Sequence, residues 1–145
     1  MQAFKRFTLT PEKRGIVIRD IAAFLDNEEA ILFAYVYGSF CGEDGFNDID
    51  VAVYVNELAI TKDDRLDYQL GLAVRLEREL KQYPIDCRIL NNAPLSFRFS
   101  FITHGDLIYT KDEKARVSFE TMTRSLYFDF KPHAQFYYQH MVAGA

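Results

Sequence analysis

Asp48, Asp50 and Asp86 are the residues of this sequence whose types and spacing can do chemistry together. Asp48 and Asp50 stand two apart at the opening of an apolar run, 48–55. In a strand, side chains at i and i+2 point to one face. Two carboxylates so placed repel each other and lose hydration, which a fold tolerates when a cation lies between them. Mg2+ takes oxygen ligands and commonly uses one or two carboxylates plus substrate phosphates. The pair therefore reads as the protein half of a site for a metal-bound triphosphate. Asp86 interrupts the otherwise apolar stretch 83–89. Its natural role is a third carboxylate, either a second metal ligand or a base for an attacking hydroxyl. Two metal ions about 4 Å apart can clamp the entering and leaving oxygens of an in-line displacement.

Gly38-Ser39 supplies the complementary grip. A glycine at the end of a buried strand lets backbone approach a ligand closely. If the next residues open a helix, their free N–H groups can hold phosphate oxygens, and the Ser39 hydroxyl can add a hydrogen bond. Taken singly, each motif is unremarkable: an isolated Asp-x-Asp is more often a solvated strand end, and Gly-Ser occurs in countless turns. Order and spacing carry the reading. An apolar strand leads into Gly-Ser, a short glycine loop into Asp-x-Asp, and a later strand holds an inward Asp.

The elements that position these residues follow from periodicity and punctuation. Thr10-Pro11 starts a helix, with Thr10 as N-cap and Pro11 at the first position. Ile16, Ile18, Ile21, Ala22, Phe24 and Leu25 follow at helical spacing. The run 31–37 is short, apolar and partly β-branched, hence a buried strand. Strand 48–55 comes next, then an amphipathic helix over 62–82 with Leu66, Leu70, Ala73, Val74, Leu76 and Leu80 on its apolar face. Pro84 ends that helix. Strand 85–90, helix 95–103 and strand 107–109 precede a helical part from about residue 112, which Pro132 is expected to split into two helices. The order α-β-β-α-β-α-β-α predicts one α+β domain over 1–145: a mixed sheet of about four strands with flanking helices on one side.

Totals narrow the function. A chain of 145 residues supports one core rather than two,. A net charge of -4 argues against a dedicated nucleic-acid binder but not against a nucleotide site, where a metal supplies local positive charge,. No direct nucleic-acid partner is expected. The basic N-terminal stretch lacks an apolar signal-peptide core, and no apolar run is long enough to span a bilayer. With two cysteines, too few for a disulfide framework, a cytoplasmic protein is expected,. Cys41 and Cys87 read as small buried thiols, and His104, His133 and His140 are too scattered for a metal site. Arg88 is expected to point off the face of Asp86 and away from any nucleotide. The aromatic tail, Tyr127-Phe128-Asp129-Phe130 and Phe136-Tyr137-Tyr138, is either core or a partner surface.

The ordered set of Gly38-Ser39, Asp48-x-Asp50 and Asp86 resembles the nucleotidyltransferase superfamily that includes DNA polymerase β. At this size the chain resembles the minimal nucleotidyltransferases (MNT), the antitoxin half of HEPN/MNT toxin–antitoxin pairs. Segment 85–91 is similar to that family's third strand, 104–109 to its Gly-x-x-x-Tyr strand, and Phe119-Glu120 and Tyr127-Phe128-Asp129 to its C-terminal helices. The resemblance implies a polymerase β-like palm fold. It also implies transfer of AMP from ATP, with two Mg2+ ions, to a tyrosine of a helical HEPN RNase toxin, which that modification silences. It makes Asp48 and Asp50 metal ligands, Asp86 a third ligand and base, and Gly38 and Ser39 phosphate binders. The C-terminal surface would dock the toxin.

One departure stands out. The segment 40–47 is shorter than the family's loop, lacks its arginine and carries Glu43 and Asp44 instead. Loss of a cation there weakens the hold on a triphosphate, so slow turnover, or nucleotide binding only within a complex, is expected. Two other functions fit the sequence: an antitoxin that masks its toxin sterically, and a small-molecule nucleotidyltransferase, for which the chain is short.

Overall fold

The computed structural model describes residues 6–37, 40 and 45–143, with side chains up to residue 131. The expected alternation is present. Helix α1 is Pro11–Asp26, strand β1 Ile31–Tyr37, strand β2 Ile49–Val55, helix α2 Arg65–Leu80 and strand β3 Ile85–Ile89. Helix α3 is Leu95–His104, strand β4 Asp106–Thr110 and helix α4 Glu113–Ala143. Thr10 caps α1 as expected, its hydroxyl accepting from the Lys13 N–H at 3.2 Å, with Pro11 in the first turn,.

The strands form one mixed sheet in the order β3-β2-β1-β4. β1 runs antiparallel to both β2 and β4, while β2 and β3 are parallel, joined by the α2 crossover,. Being central and apolar throughout, β1 needs cover on both sides. On one face Ala34, Val36, Val51, Val53 and Cys87 pack with Val17, Ile21 and Leu25 of α1 and Leu72 and Leu76 of α2. On the other face Phe33, Tyr35 and Ala52 pack with Phe101 and Ile102 of α3 and Phe119 of α4. Helices therefore flank both faces, not one. A strand whose odd and even positions are both apolar cannot leave either face to water.

Two helical faces differ from expectation. α1 buries Val17, Ile21 and Leu25 and leaves Ile16 half exposed. α2 buries Leu72 and Leu76, whereas Leu66, Leu70 and Val74 form an exposed row. α2 is apolar on two sides, and periodicity alone does not say which side meets the sheet. α4 also runs on past Pro132 instead of dividing there. A proline removes one backbone donor, and the bonds of a 31-residue helix on either side can carry the backbone past it,.

α4 is clamped to the sheet through a buried polar contact. The Tyr35 hydroxyl donates to the Glu120 carboxylate at 3.0 Å, and Arg116 bridges Glu113 and Glu120. Near the other end of the sheet, Phe7 exchanges backbone hydrogen bonds with Phe46, at 2.7 and 2.8 Å. Phe40, Phe46 and Tyr83 close around this bridge with ring centroids 5.0–5.6 Å apart, Phe7 included. Gly45 sits at φ +91, and a Cβ there would lie 2.8 Å from the Phe7 carbonyl oxygen. Only glycine suits both constraints.

Candidate active site

Asp50 and Asp86 share the sheet face covered by α3 and α4. β2 alternates, with Val51, Val53 and Val55 on the α1/α2 side and Asp50, Ala52 and Tyr54 on the other,. β3 lies parallel and in register with it, so Asp50 and Asp86 are paired neighbours across the ladder. On the opposite flank the partner of Asp50 is Tyr37. Tyr37, Asp50 and Asp86 thus form one row across three strands. Asp48 lies in the bend just before β2, not within the strand, and is partly buried. Gly38 and Ser39, together with Cys41, Glu43 and Asp44, lie outside the described residues.

Electrostatics follow from this crowding. The Asp50 carboxyl is pushed up from 3.8 to about 6, first by desolvation, then by the charge of Asp48 and of Asp86, with Arg88 pulling the other way,. Asp86 is tied by the Arg88 guanidinium, whose Nε donates to Oδ2 at 3.3 Å. Arg88 is therefore on the face of Asp86, not off it. Residues two apart in a strand share a face, and the expectation of separate faces misapplied that rule.

Among the described residues no three acidic, imidazole or thiol side chains are placed together to hold a metal ion, so Asp48, Asp50 and Asp86 do not by themselves form the expected three-carboxylate site. The donor set nevertheless fits Mg2+. The ion needs only one or two carboxylates when phosphates complete its shell, and Asp50 is an acid whose charge lacks enough local compensation,. Cys87 is no alternative ligand. It faces the α1/α2 core, and burial pushes its thiol up to about 12, as suits the small packed thiol expected for it,.

α3 forms the roof of the site. The Tyr37 hydroxyl accepts from Ser100 Oγ at 3.0 Å, and its ring lies 4.7 Å from Phe101. Sequence reading did not single out this contact. Tyr37 read simply as the last residue of an apolar run, and Ser100 sits amid phenylalanines. Of the three histidines, His104 ends α3, where the helix dipole favours a basic residue, and is exposed,. His133 and His140 have side chains outside the described residues, as do Phe136, Tyr137 and Tyr138. In the first part of the tail, Tyr127 stacks on Phe99 at 3.7 Å, while Phe128 and Phe130 are exposed. Among the described residues no helix is long and apolar enough to cross a membrane.

Comparison with known proteins places this arrangement. No curated protein matches the chain. Solved structures do, across nearly the whole length. One is a chain of the complex of tri-AMPylated Shewanella oneidensis HEPN toxin with MNT antitoxin, with TM-score 0.63 and 19% identity, covering 89% of this chain and 98% of that one. A second is from the toxin–antitoxin MntA-HepT, with TM-score 0.62 and 20% identity, covering 88% and 98%. A third is from a toxin–antitoxin with AMP-PNP, with TM-score 0.61 and 19% identity, covering 92% and 99%. At such identities the likeness is one of fold, and it matches the palm-like arrangement expected from the sequence. The family described as Polymerase beta, Nucleotidyltransferase matches residues 19–114, more than half of the chain and the whole stretch that carries the three aspartates. This chain belongs to the polymerase β-type nucleotidyltransferase family.

Proposed function

We propose that this protein is an antitoxin that transfers AMP from Mg-ATP to a tyrosine of a cognate HEPN-family RNase toxin and so neutralises it. The observation that carries the reading is the in-register pairing of Asp50 with Asp86, with Asp48 two residues before Asp50. Fold likeness to chains of HEPN toxin–MNT antitoxin complexes, one with a tri-AMPylated toxin and another with AMP-PNP, supports the choice of donor and partner.

Asp48 and Asp50 would hold Mg2+ against the triphosphate, with Asp86 as third ligand on the flank away from β1. The metal supplies charge neutralisation at the phosphates and at the leaving pyrophosphate. Gly38 and Ser39 bind phosphate oxygens in this reading. The acceptor tyrosine oxygen attacks the α-phosphorus and gives its proton to Asp86. The new O–P bond forms as the α,β-phosphoanhydride bond breaks, and pyrophosphate leaves with the electron pair. Arg88 keeps the Asp86 carboxylate oriented toward the acceptor. The protein works in the cytoplasm, and no nucleic acid takes part directly.

α4 provides the docking surface. Its apolar positions are buried at Phe119 by the sheet and α3, and the same stripe continues uncovered through Met122, Leu126 and Phe130. A helical partner fits a helix that keeps its apolar stripe beyond its contact with the sheet.

The test is the intact mass of the partner encoded next to this protein, co-expressed with wild type and with an Asp48→Ala/Asp50→Ala variant. Mass added in whole AMP units with wild type alone is expected. An unmodified partner that co-purifies with both forms would replace this reading with steric masking.

A further inference from the structure

One pleat beyond Asp86 along β3, a cavity of about 290 Å³ opens between the start of α2, β3 and α3. Arg65, Leu66, Arg88, Asn92 and Phe97 give it its chemistry. No carboxylate lines it among the described residues, although the chain as a whole carries a net charge of -4. The wall is thus a local reversal of charge.

Two guanidinium groups line it and set its charge preference. The guanidinium of Arg65 lines the cavity, and its Nε is buried without a hydrogen-bond partner,. Arg88 spends its Nε on Asp86, which leaves the outer nitrogens of its fork for a second acceptor,. α3 begins at this cavity behind Pro94, with no side chain capping its first turn, so its free N–H groups add to the positive field,. Leu66 and Phe97 give the same space apolar walls. The fitting occupant is a carboxylate on a hydrocarbon stem, beside an aromatic or aliphatic neighbour. The volume suits one or two side chains and lies at the small end for a whole nucleotide,.

Its position says which reactant it serves. β1 and β3 flank β2 on opposite sides. In an in-line displacement the attacking and leaving oxygens lie on opposite sides of the phosphorus. On the functional reading above, the phosphate grip follows β1, so the nucleophile arrives from the β3 side, where this cavity opens. We propose that the cavity between Arg65 and Arg88 is an acceptor subsite, which seats an acidic side chain next to the hydroxyl that receives AMP. The inference rests on that functional reading and adds how the acceptor is selected.

Two experiments on the full chain test it. In the first, N-acetyl-Glu-Tyr-amide, N-acetyl-Gln-Tyr-amide and inorganic pyrophosphate are titrated against the backbone amide resonances of Ile89, Asn92 and Phe97. Shifts with the Glu peptide are expected, with at least fivefold weaker binding of the Gln peptide. They should vanish in Arg65→Glu and persist in Arg65→Lys. Equal response to the two peptides, no response to either, or a stronger response to pyrophosphate would overturn the proposal, the last by giving the cavity to the donor. In the second, AMP transfer to the partner is measured with each substrate varied. Arg65→Glu should raise the acceptor KM at least tenfold and leave the ATP KM unchanged. An unchanged acceptor KM sinks the subsite while leaving the adenylyltransferase intact. A wild type that transfers no AMP sinks the functional reading, and the peptide titration then still decides whether the cavity takes a carboxylate.

Discussion

Asp50 and Asp86 stand directly opposite one another on the parallel β2–β3 ladder, on the face roofed by α3. Parallel pairing fixes this contact without help from any loop, so it persists whether or not a nucleotide is bound. Asp86→Asn keeps shape and hydrogen bonding but removes the charge and the basic oxygen. AMP transfer should fall on the order of 10²–10⁴-fold, as is usual when a general base is lost. Circular dichroism should be unchanged. A variant within threefold of wild type would remove Asp86 from the reaction.

Asp50 is an acid held against its preference, and pH exposes this. Its folded value of about 6 lies above the ordinary 3.8. Between these values the folded state binds more protons than the unfolded one, so the stability of metal-free protein falls as pH rises from about 4 to about 6 and levels off above. Asp50→Asn should therefore melt higher than wild type at pH 7.5 without metal, by about 2 °C after allowing for solvent screening. Millimolar Mg2+ with ATP should narrow that gap, because it stabilises only the wild type. A scan in which Asp50→Asn melts lower at pH 7.5 would contradict the crowding of charges described here.

Arg88 separates stability from activity. Its ion pair with Asp86 is largely exposed and contributes under about 1 kcal/mol to folding,. Its effect on catalysis is expected to be larger, since groups that orient a ligand carboxylate typically cost about 10–100-fold when removed. Arg88→Ala should melt within about 3 °C of wild type, by the usual conversion of free energy to melting temperature, and turn over at least tenfold more slowly. Equal losses in Arg88→Ala and Arg88→Lys would show that fork geometry matters, not charge alone.

The α4 stripe predicts a loss of association without a loss of fold. Leu126→Glu with Phe130→Glu places two charges on surface that is already exposed. Melting should hardly move, whereas partner affinity should weaken by about 2 kcal/mol or more, the usual size for central interface residues. Size exclusion of the co-expressed pair reads this directly. An intact complex would move the docking surface elsewhere.

Element types and order were legible because the apolar runs were short, distinct and bounded by Gly and Pro. The acid pair was legible because two carboxylates two residues apart at the mouth of an apolar strand are costly to fold around unless a cation offsets their charge,. What the sequence hid was direction. Leu66, Leu70 and Val74 have the same spacing as a buried face, yet α2 turns Leu72 and Leu76 inward. Only the tertiary position of β3 decides between the two sides. Flanking helices on both sheet faces were readable in principle from β1, where odd and even residues alike are apolar. The tie between Tyr37 and Ser100 spans 63 residues and has no local pattern to announce it. Gly38 and Ser39, read as the phosphate grip, lie outside the described residues and rest on the sequence.

The Phe7–Phe46 bridge has a consequence for handling the protein. It joins Phe7 to the residues that lead into Asp48, within a ring of aromatics. Shortening the chain past Phe7, or fusing a bulky tag immediately before it, would act through this bridge on the position of Asp48. On the proposed function, a preparation altered in that way can look folded and bind its partner and yet transfer AMP poorly.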